Sequence, residues 1–194
     1  MKKNAETRKE EIIRVAAKLF KEKGYSAVTM RDLASAMGIK AASLYNHINS
    51  KQQILKEIII SLAEEFTLGL QEIQQTNKSN VEKLKDIVKL HVKITSQNTY
   101  GMASLNNDWM HLEEKLDYYL QLRTNYEDKL REIISEGVKK DEFIDENIEV
   151  ILFSILSTLR SLYLWIPKKE DLNSEELSQQ LSRVLINGIN KKTD

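Results

Sequence analysis

The sequence predicts an all-α protein of about nine helices, with an N-terminal three-helix domain ahead of a larger helical body. Three observations carry this: apolar residues recur at the 3.6-residue period almost without a break, alternating apolar and polar runs are absent, and chain breakers are few, with one proline, Pro167, and six glycines in 194 residues.

The elements follow in order. Thr7 with Glu10 makes a capping box; Ile12, Ile13, Ala16, Leu19 and Phe20 then share one face, and Gly24 ends the helix. Thr29 with Asp32 opens a short second helix carrying Leu33, Ala34 and Met37, closed by Gly38. A third helix spans about Ala41 to Ile48, with Leu44 and Ile48 facing inward. Ser50 with Gln53 opens a long helix through Ile54, Leu55, Ile58, Ile59, Leu62 and Phe66. The stretch QQTNKSN breaks the pattern near residues 76–80, and further helices are expected at Val81–Gln97, Thr99–Trp109, Met110–Lys139, Asp145–Trp165 and Ser174–Asn190. The eighth is apolar nearly all round and so needs burial on both sides, one against its own domain and one against a second copy of the chain.

Composition narrows the class. Residues 1–56 hold 12 Lys and Arg against 5 Asp and Glu, a net +7, and the remainder holds 17 against 24, a net −7. A basic head on an acidic body suits a polyanionic partner for the head alone. There is no cysteine, hence no disulfide or thiolate metal site. The charged N-terminus lacks the apolar run of a signal peptide, and no stretch is read as the roughly 20 apolar residues that span a bilayer. A soluble, cytoplasmic protein without a membrane partner is expected.

His47, His91 and His111 lack ligand partners at helical spacing, so no metal is expected. Glu64–Glu65 and Glu113–Glu114 are adjacent solvated pairs, and neither a nucleophile elbow nor a phosphate loop occurs. Neither an enzyme nor a cofactor is expected.

Two short helices joined through a glycine, with a third before them, form a helix-turn-helix over about residues 29–48. Ala34 permits close approach, Gly38 the turn, and the second helix can enter a major groove. The run TMRDLASAMGIKAASLYNHINSKQQIL resembles the DNA-binding signature of the tetracycline-repressor (TetR) family, with Thr29, Leu33, Ala34, Gly38, Ile39, Ser43, Leu44, Tyr45, His47 and Lys51 in register. The upstream IIRVAAKLFKEKGYSAVTM is similar to that family's first helix and its glycine-aromatic link. Lys40 stands where a capping serine or threonine is common, which weakens that cap, and Ile48 replaces an aromatic.

The resemblance implies a DNA-binding domain over residues 1–52 and a helical effector-binding and dimerisation domain over 53–194. With the chemistry of the side chains, it assigns Thr29, Tyr45 and Lys51 to phosphates and His47 to the vicinity of the backbone. Ala41 and Ala42 suit thymine methyls, Asn46 an adenine, and Arg31 a base or phosphate, with Lys40 and Ser43 in the same interface. In the body, Met102, Trp109, Met110, Tyr119, Tyr126 and Trp165 with Arg160 are the candidate site for a small apolar effector. Arg160 needs either a ligand anion or an internal carboxylate such as Glu113 or Glu127.

The tail, through L-Y-x-W, Pro167, L-x-x-E-E and N-G-I, resembles a subgroup that controls lipid or steroid breakdown and senses acyl-coenzyme A thioesters. Dimerisation is assigned to Ile148, Ile151, Leu152, Ile155, Leu159 and Leu162 of the eighth helix and Leu177, Leu181, Val184 and Leu185 of the ninth. The whole reads as a ligand-released repressor that binds a palindromic duplex DNA operator as a homodimer. The alternatives are a ligand-independent architectural DNA binder and a helical interaction module without DNA binding.

Overall fold

The computed structural model describes residues 6–169 and 173–189, which are helical with no strand among them. The helices are α1 (Arg8–Lys23), α2 (Met30–Ala36), α3 (Ala41–Tyr45), α4 (Lys51–Gln74), α5 (Asn80–Gln97), α6 (Thr99–Asn107), α7 (Leu116–Lys139), α8 (Ile148–Trp165) and α9 (Ser174–Asn187). Short 3₁₀ turns lie at Trp109–His111, Glu113–Lys115 and Ile166–Lys168. Asn190, the expected end of the last helix, and Leu172 of the tail motif lie outside the described residues.

The chain forms two compact units. One runs to Leu62 and takes in Tyr100–Tyr119; the other holds Ala63–Thr99 and the chain from Leu120. The first unit thus recruits a segment far from the N-terminal helices, which a division at residue 52 does not anticipate.

In the first unit the expected capping chemistry is present. Thr7 and Glu10 close a reciprocal box at α1, and Thr29 with Asp32 does the same at α2. Gly38 adopts φ +66°, a left-handed turn that costs a glycine little, and the Ile39 amide donates to the Ala34 carbonyl at 3.0 Å across it. Ile12, Phe20, Leu33, Leu44, Ile54 and Ile59 are fully buried and fix α1, α2, α3 and α4 around one core.

A helix expected from Met110 starts instead at Leu116. Glu113 sits at φ +46°, outside the helical region, so residues 109–115 pass as two 3₁₀ turns with Leu112 buried as their anchor.

In the second unit α5 packs against α8 and α9. Its N-terminus carries a Ser79–Glu82 box, and the Glu142 carboxylate accepts from the Val81 amide at 3.1 Å, satisfying a further donor of the first turn. Phe143 folds back onto Gly137 of α7, where an added Cβ would lie 2.1 Å from its ring.

Helix α8 departs from expectation twice. The segment Ile148–Lys168 is long and apolar enough to cross a membrane by length and composition, contrary to the reading that no stretch is. Its inner face is nevertheless unit core, for Ile151, Leu152, Ile155, Leu159 and Leu162 are all buried there, as is Leu177 of α9. These six were assigned to a dimer contact; the structure spends them inside one chain, because a helix apolar all round does not reveal which half meets its own domain. The large apolar residues turned outward are Val150, Phe153, Leu164 and Trp165 on α8 and Val184 on α9, with Phe153 71% and Val184 74% exposed. Of the assigned set, Val184 remains outward, while Ile148, Leu181 and Leu185 are half-buried.

Candidate nucleic-acid interface

Helix α3 is five residues long, and its buried and exposed positions separate cleanly. Leu44 and, just beyond the helix, Ile48 are buried, while Ala42, Ser43, Tyr45, Asn46 and His47 are exposed and Ala41 is half-buried. The outward surface therefore carries a methyl and a hydroxyl near its N-terminus, where the backbone can come close to a groove, and a phenol, an amide and an imidazole near its C-terminal end. A B-form major groove admits a helix of this profile: methyls meet thymine C5-methyls, and an amide pairs with the N6/N7 edge of adenine. Tyr45 is half-exposed, its hydroxyl free of a burial constraint and suited to a phosphate oxygen. Lys40, as its sequence position suggested, occupies the N-cap of α3 without a side-chain cap hydrogen bond, and it is exposed together with Arg31 of α2.

Two assigned phosphate ligands have other partners. The Thr29 hydroxyl donates to the Asp32 carboxylate at 2.6 Å, and the Thr29 amide donates to the same oxygen at 2.8 Å. Those bonds hold the Asp32 carboxyl below the usual range. Both Thr29 donors are spent on the cap, so this residue orients α2.

Lys51, the first residue of α4, turns inward. Its Nζ donates to the carbonyls of Tyr25 and Ser26 at 2.8 and 3.4 Å and lies 4.3 Å from the centre of the Tyr25 ring. A four-carbon stem can reach solvent or fold back, and here two carbonyls and an aromatic face hold the ammonium.

Sequence reasoning missed the group around Tyr25. This residue is 8% exposed, packs edge-on to Phe20 with centroids 5.1 Å apart, and stacks on His111 at 5.2 Å. Its hydroxyl donates to Gln52 Oε1 at 2.5 Å, and Gln52 Nε2 donates to the His111 carbonyl at 2.5 Å. Burial, with the charges of Glu113 and Asp108, raises the phenol pKa, so at neutral pH it remains a donor. No local sequence signal marks the pair, since Gln52 and His111 are 59 residues apart.

The candidate effector residues divide between the units. Met102, Trp109, Met110 and Tyr119 belong to the first, where Trp109 and Tyr119 stack at 6.0 Å, Met102 is buried and Met110 is exposed. Tyr126, Arg160 and Trp165 belong to the second. There Arg160 takes the internal partner, donating to Glu127 Oε1 at 2.5 Å, while Arg123 reaches the same oxygen at 3.3 Å. Burial alone would raise the Glu127 carboxyl, but Arg160 and Arg123 together bring it below its ordinary value. Tyr126 is buried against His91, with Nε2 and the phenol oxygen 2.8 Å apart, and Phe66 lies 4.6 Å from the imidazole centre. Trp165 is exposed beneath Lys169. Among the described residues no group of three acidic or histidine side chains is placed to hold a metal.

Two short helices, α2 and α3, joined through the Gly38 turn, with the second turned outward from a buried core, form the helix-turn-helix of a DNA-binding protein. Residues 12–58 match the family described as bacterial regulatory proteins, tetR family, and residues 77–189, more than half of the chain, match the tetracyclin repressor-like C-terminal domain. The chain belongs to the TetR family of bacterial transcriptional regulators.

Among its relatives, the HTH-type transcriptional repressor KstR2 of Mycolicibacterium smegmatis is 25% identical over 186 residues, covering 94% of this chain and 91% of the relative. The biofilm-operon negative regulator IcaR of Staphylococcus aureus is 45% identical, but over 51 residues, 26% of this chain. The solved structure of the ketosteroid transcriptional regulator KstR2 of Mycobacterium tuberculosis superposes with a TM-score of 0.90 at 20% identity, covering 97% of this chain and 98% of that one. The structure of AibR in complex with isovaleryl coenzyme A and operator DNA has a TM-score of 0.77 at 22% identity, with 93% and 98% covered.

Proposed function

We propose that the protein acts in the cytoplasm as a homodimeric repressor that occupies a palindromic operator and leaves it when a small apolar effector binds. The observation that carries the DNA reading is α3 itself, with Leu44 and Ile48 locked in the core and Ala42, Ser43, Tyr45, Asn46 and His47 turned out. In this reading Asn46 and the alanines select bases, while Tyr45, His47, Arg31 and Lys40 meet the backbone or the groove edge.

Exposed apolar residues on α8 and on α9 support a two-fold pairing. Val150, Phe153, Leu164 and Val184 are apolar, outward and spaced along two helices, and Ser154, Ser157 and Ser161 between them allow close helix approach. An isologous contact there would give the dimer a two-fold axis, and a two-fold protein calls for a palindromic operator.

Repression rather than activation follows the KstR2 relatives, named transcriptional repressors. An acyl-coenzyme A thioester is the effector proposed, since AibR, a fold neighbour, carries isovaleryl coenzyme A. Within the first unit Met102, Trp109, Met110 and Tyr119 are the candidates for its acyl chain, with Trp109 stacked on Tyr119. Arg160, already paired with Glu127, is a poor partner for its anion. An effector that prefers a conformation with displaced recognition helices needs a coupling of only about 1–3 kcal/mol.

The test is a panel of short-chain, long-chain and steroid thioesters titrated onto the protein bound to duplex selected from a random pool, with Trp109 and Trp165 as fluorophores. Release by one class with a matching fluorescence change supports the reading. No release by any thioester or its free acid removes the effector and leaves DNA binding intact.

A further inference from the structure

The Tyr25 group ties three distant pieces of the first unit together: the α1–α2 connection, the first turn of α4, and residues 109–115. Gln52 uses both ends of its amide, accepting from the Tyr25 phenol and donating to the His111 carbonyl. Lys51 uses its ammonium on the Tyr25 and Ser26 carbonyls. His111 stacks on the Tyr25 ring, Leu112 is buried, and Lys56 reaches Glu114 at 3.1 Å. Thr29, the cap that starts α2, lies four residues after Tyr25, so the entry of the helix-turn-helix is held from behind by this cluster.

We propose that Lys51, Tyr25 and Gln52 are positioning residues for DNA recognition, and that residues 109–115 are a working part of the DNA-reading module through them. The inference rests on the DNA-binding reading above and deepens it. Lys51 is then not a phosphate ligand: its ammonium is held on the Tyr25 and Ser26 carbonyls, one part-buried and one exposed. Losing the cluster leaves the phosphate contacts in place but loosens the angle at which α2 and α3 present their side chains to the bases. Sequence-specific binding, which needs several base contacts in register, suffers. Non-specific binding, which needs charge alone, does not.

The experiment uses full-length protein, a duplex selected by the wild type from a random pool, and a scrambled duplex of the same length. Tyr25→Phe, Gln52→Leu and Lys51→Met are compared by anisotropy across a salt series, at a temperature where thermal melts show each variant fully folded. Each should bind the selected duplex about 3- to 10-fold more weakly, with scrambled-duplex affinity unchanged. Tyr25→Phe, which removes one hydrogen bond, should fall at the lower end, and Gln52→Leu and Lys51→Met, which remove two each, at the upper. The Tyr25→Phe/Gln52→Leu double variant should lose no more than the worse single, because the two side chains share one bond. The slope of log K against log salt should be the same for Lys51→Met and wild type.

A slope reduced by about 0.9 in Lys51→Met would identify a phosphate contact and overturn the inference. Equal losses on both duplexes, or wild-type affinity in Tyr25→Phe and Gln52→Leu, would overturn it too. Marginal stability alone cannot mimic the expected result, since a smaller folded fraction weakens both duplexes equally. If the wild type selects no sequence from the pool, the DNA-binding reading itself fails, which is a distinguishable outcome.

Discussion

Lowering the pH from 7 to 5 should cost the folded state about 2 kcal/mol through His91 alone. The imidazole is 4% exposed, lies against Phe66 of α4 and Tyr126 of α7, and sits in the field of Arg160 from α8. Burial first, and the arginine second, lower its pKa to about 3. In the unfolded chain the same group titrates near its ordinary value of about 6.5. The folded pKa is depressed below the unfolded one, so below pH 6.5 the unfolded chain takes a proton that the folded protein refuses. Stability is unaffected by His91 above that pH, falls between about 6.5 and 3, and at pH 5 has lost roughly 2 kcal/mol by linkage.

Urea unfolding at pH 7 and pH 5, on the wild type and on His91→Gln, isolates this contribution, because carboxylates titrate alike in both proteins. The wild type should lose about 2 kcal/mol more than the variant over that interval. Parallel losses would show that His91 is protonated in the fold and refute the reasoning.

Phe153→Asp should give a folded monomer at micromolar concentration by light scattering, with helical content unchanged, because the side chain is 71% exposed and its loss leaves the core intact. Gly137→Ala should destabilise the protein by about 1–3 kcal/mol in chemical denaturation, since the new Cβ would lie 2.1 Å from the Phe143 ring, and Phe143→Leu should restore part of the loss.

Much of this was legible in the residues. Thr7–Glu10 and Thr29–Asp32 are reciprocal boxes whose spacing alone sets a helix start, and Gly38 is the turn their pattern demands. Ser50 caps Gln53, although the Gln53 side chain answers the Asn49 amide instead of closing the box. The outward residues of α3 could be read because Leu44 and Ile48 mark the inner face by their spacing.

What was not legible depends on long-range packing. Lys51 has the spacing and charge of a phosphate ligand, and only the folded loop at Tyr25 and Ser26 shows where its ammonium goes. The break at Glu113 carries no glycine or proline, so residues 109–115 read as helix. In α8 both faces are apolar, and periodicity cannot say that Leu159 is inside and Phe153 out.

The central claim, that α3 reads base edges, is tested most directly by selecting duplexes from a random pool with the wild type and with Asn46→Ala. The wild type should enrich an inverted repeat. The variant should enrich the same repeat with preference relaxed at one or two symmetry-related base pairs, a discrimination of about 1–3 kcal/mol at each. Identical preferences in the two proteins, or no enrichment by the wild type, would contradict the account.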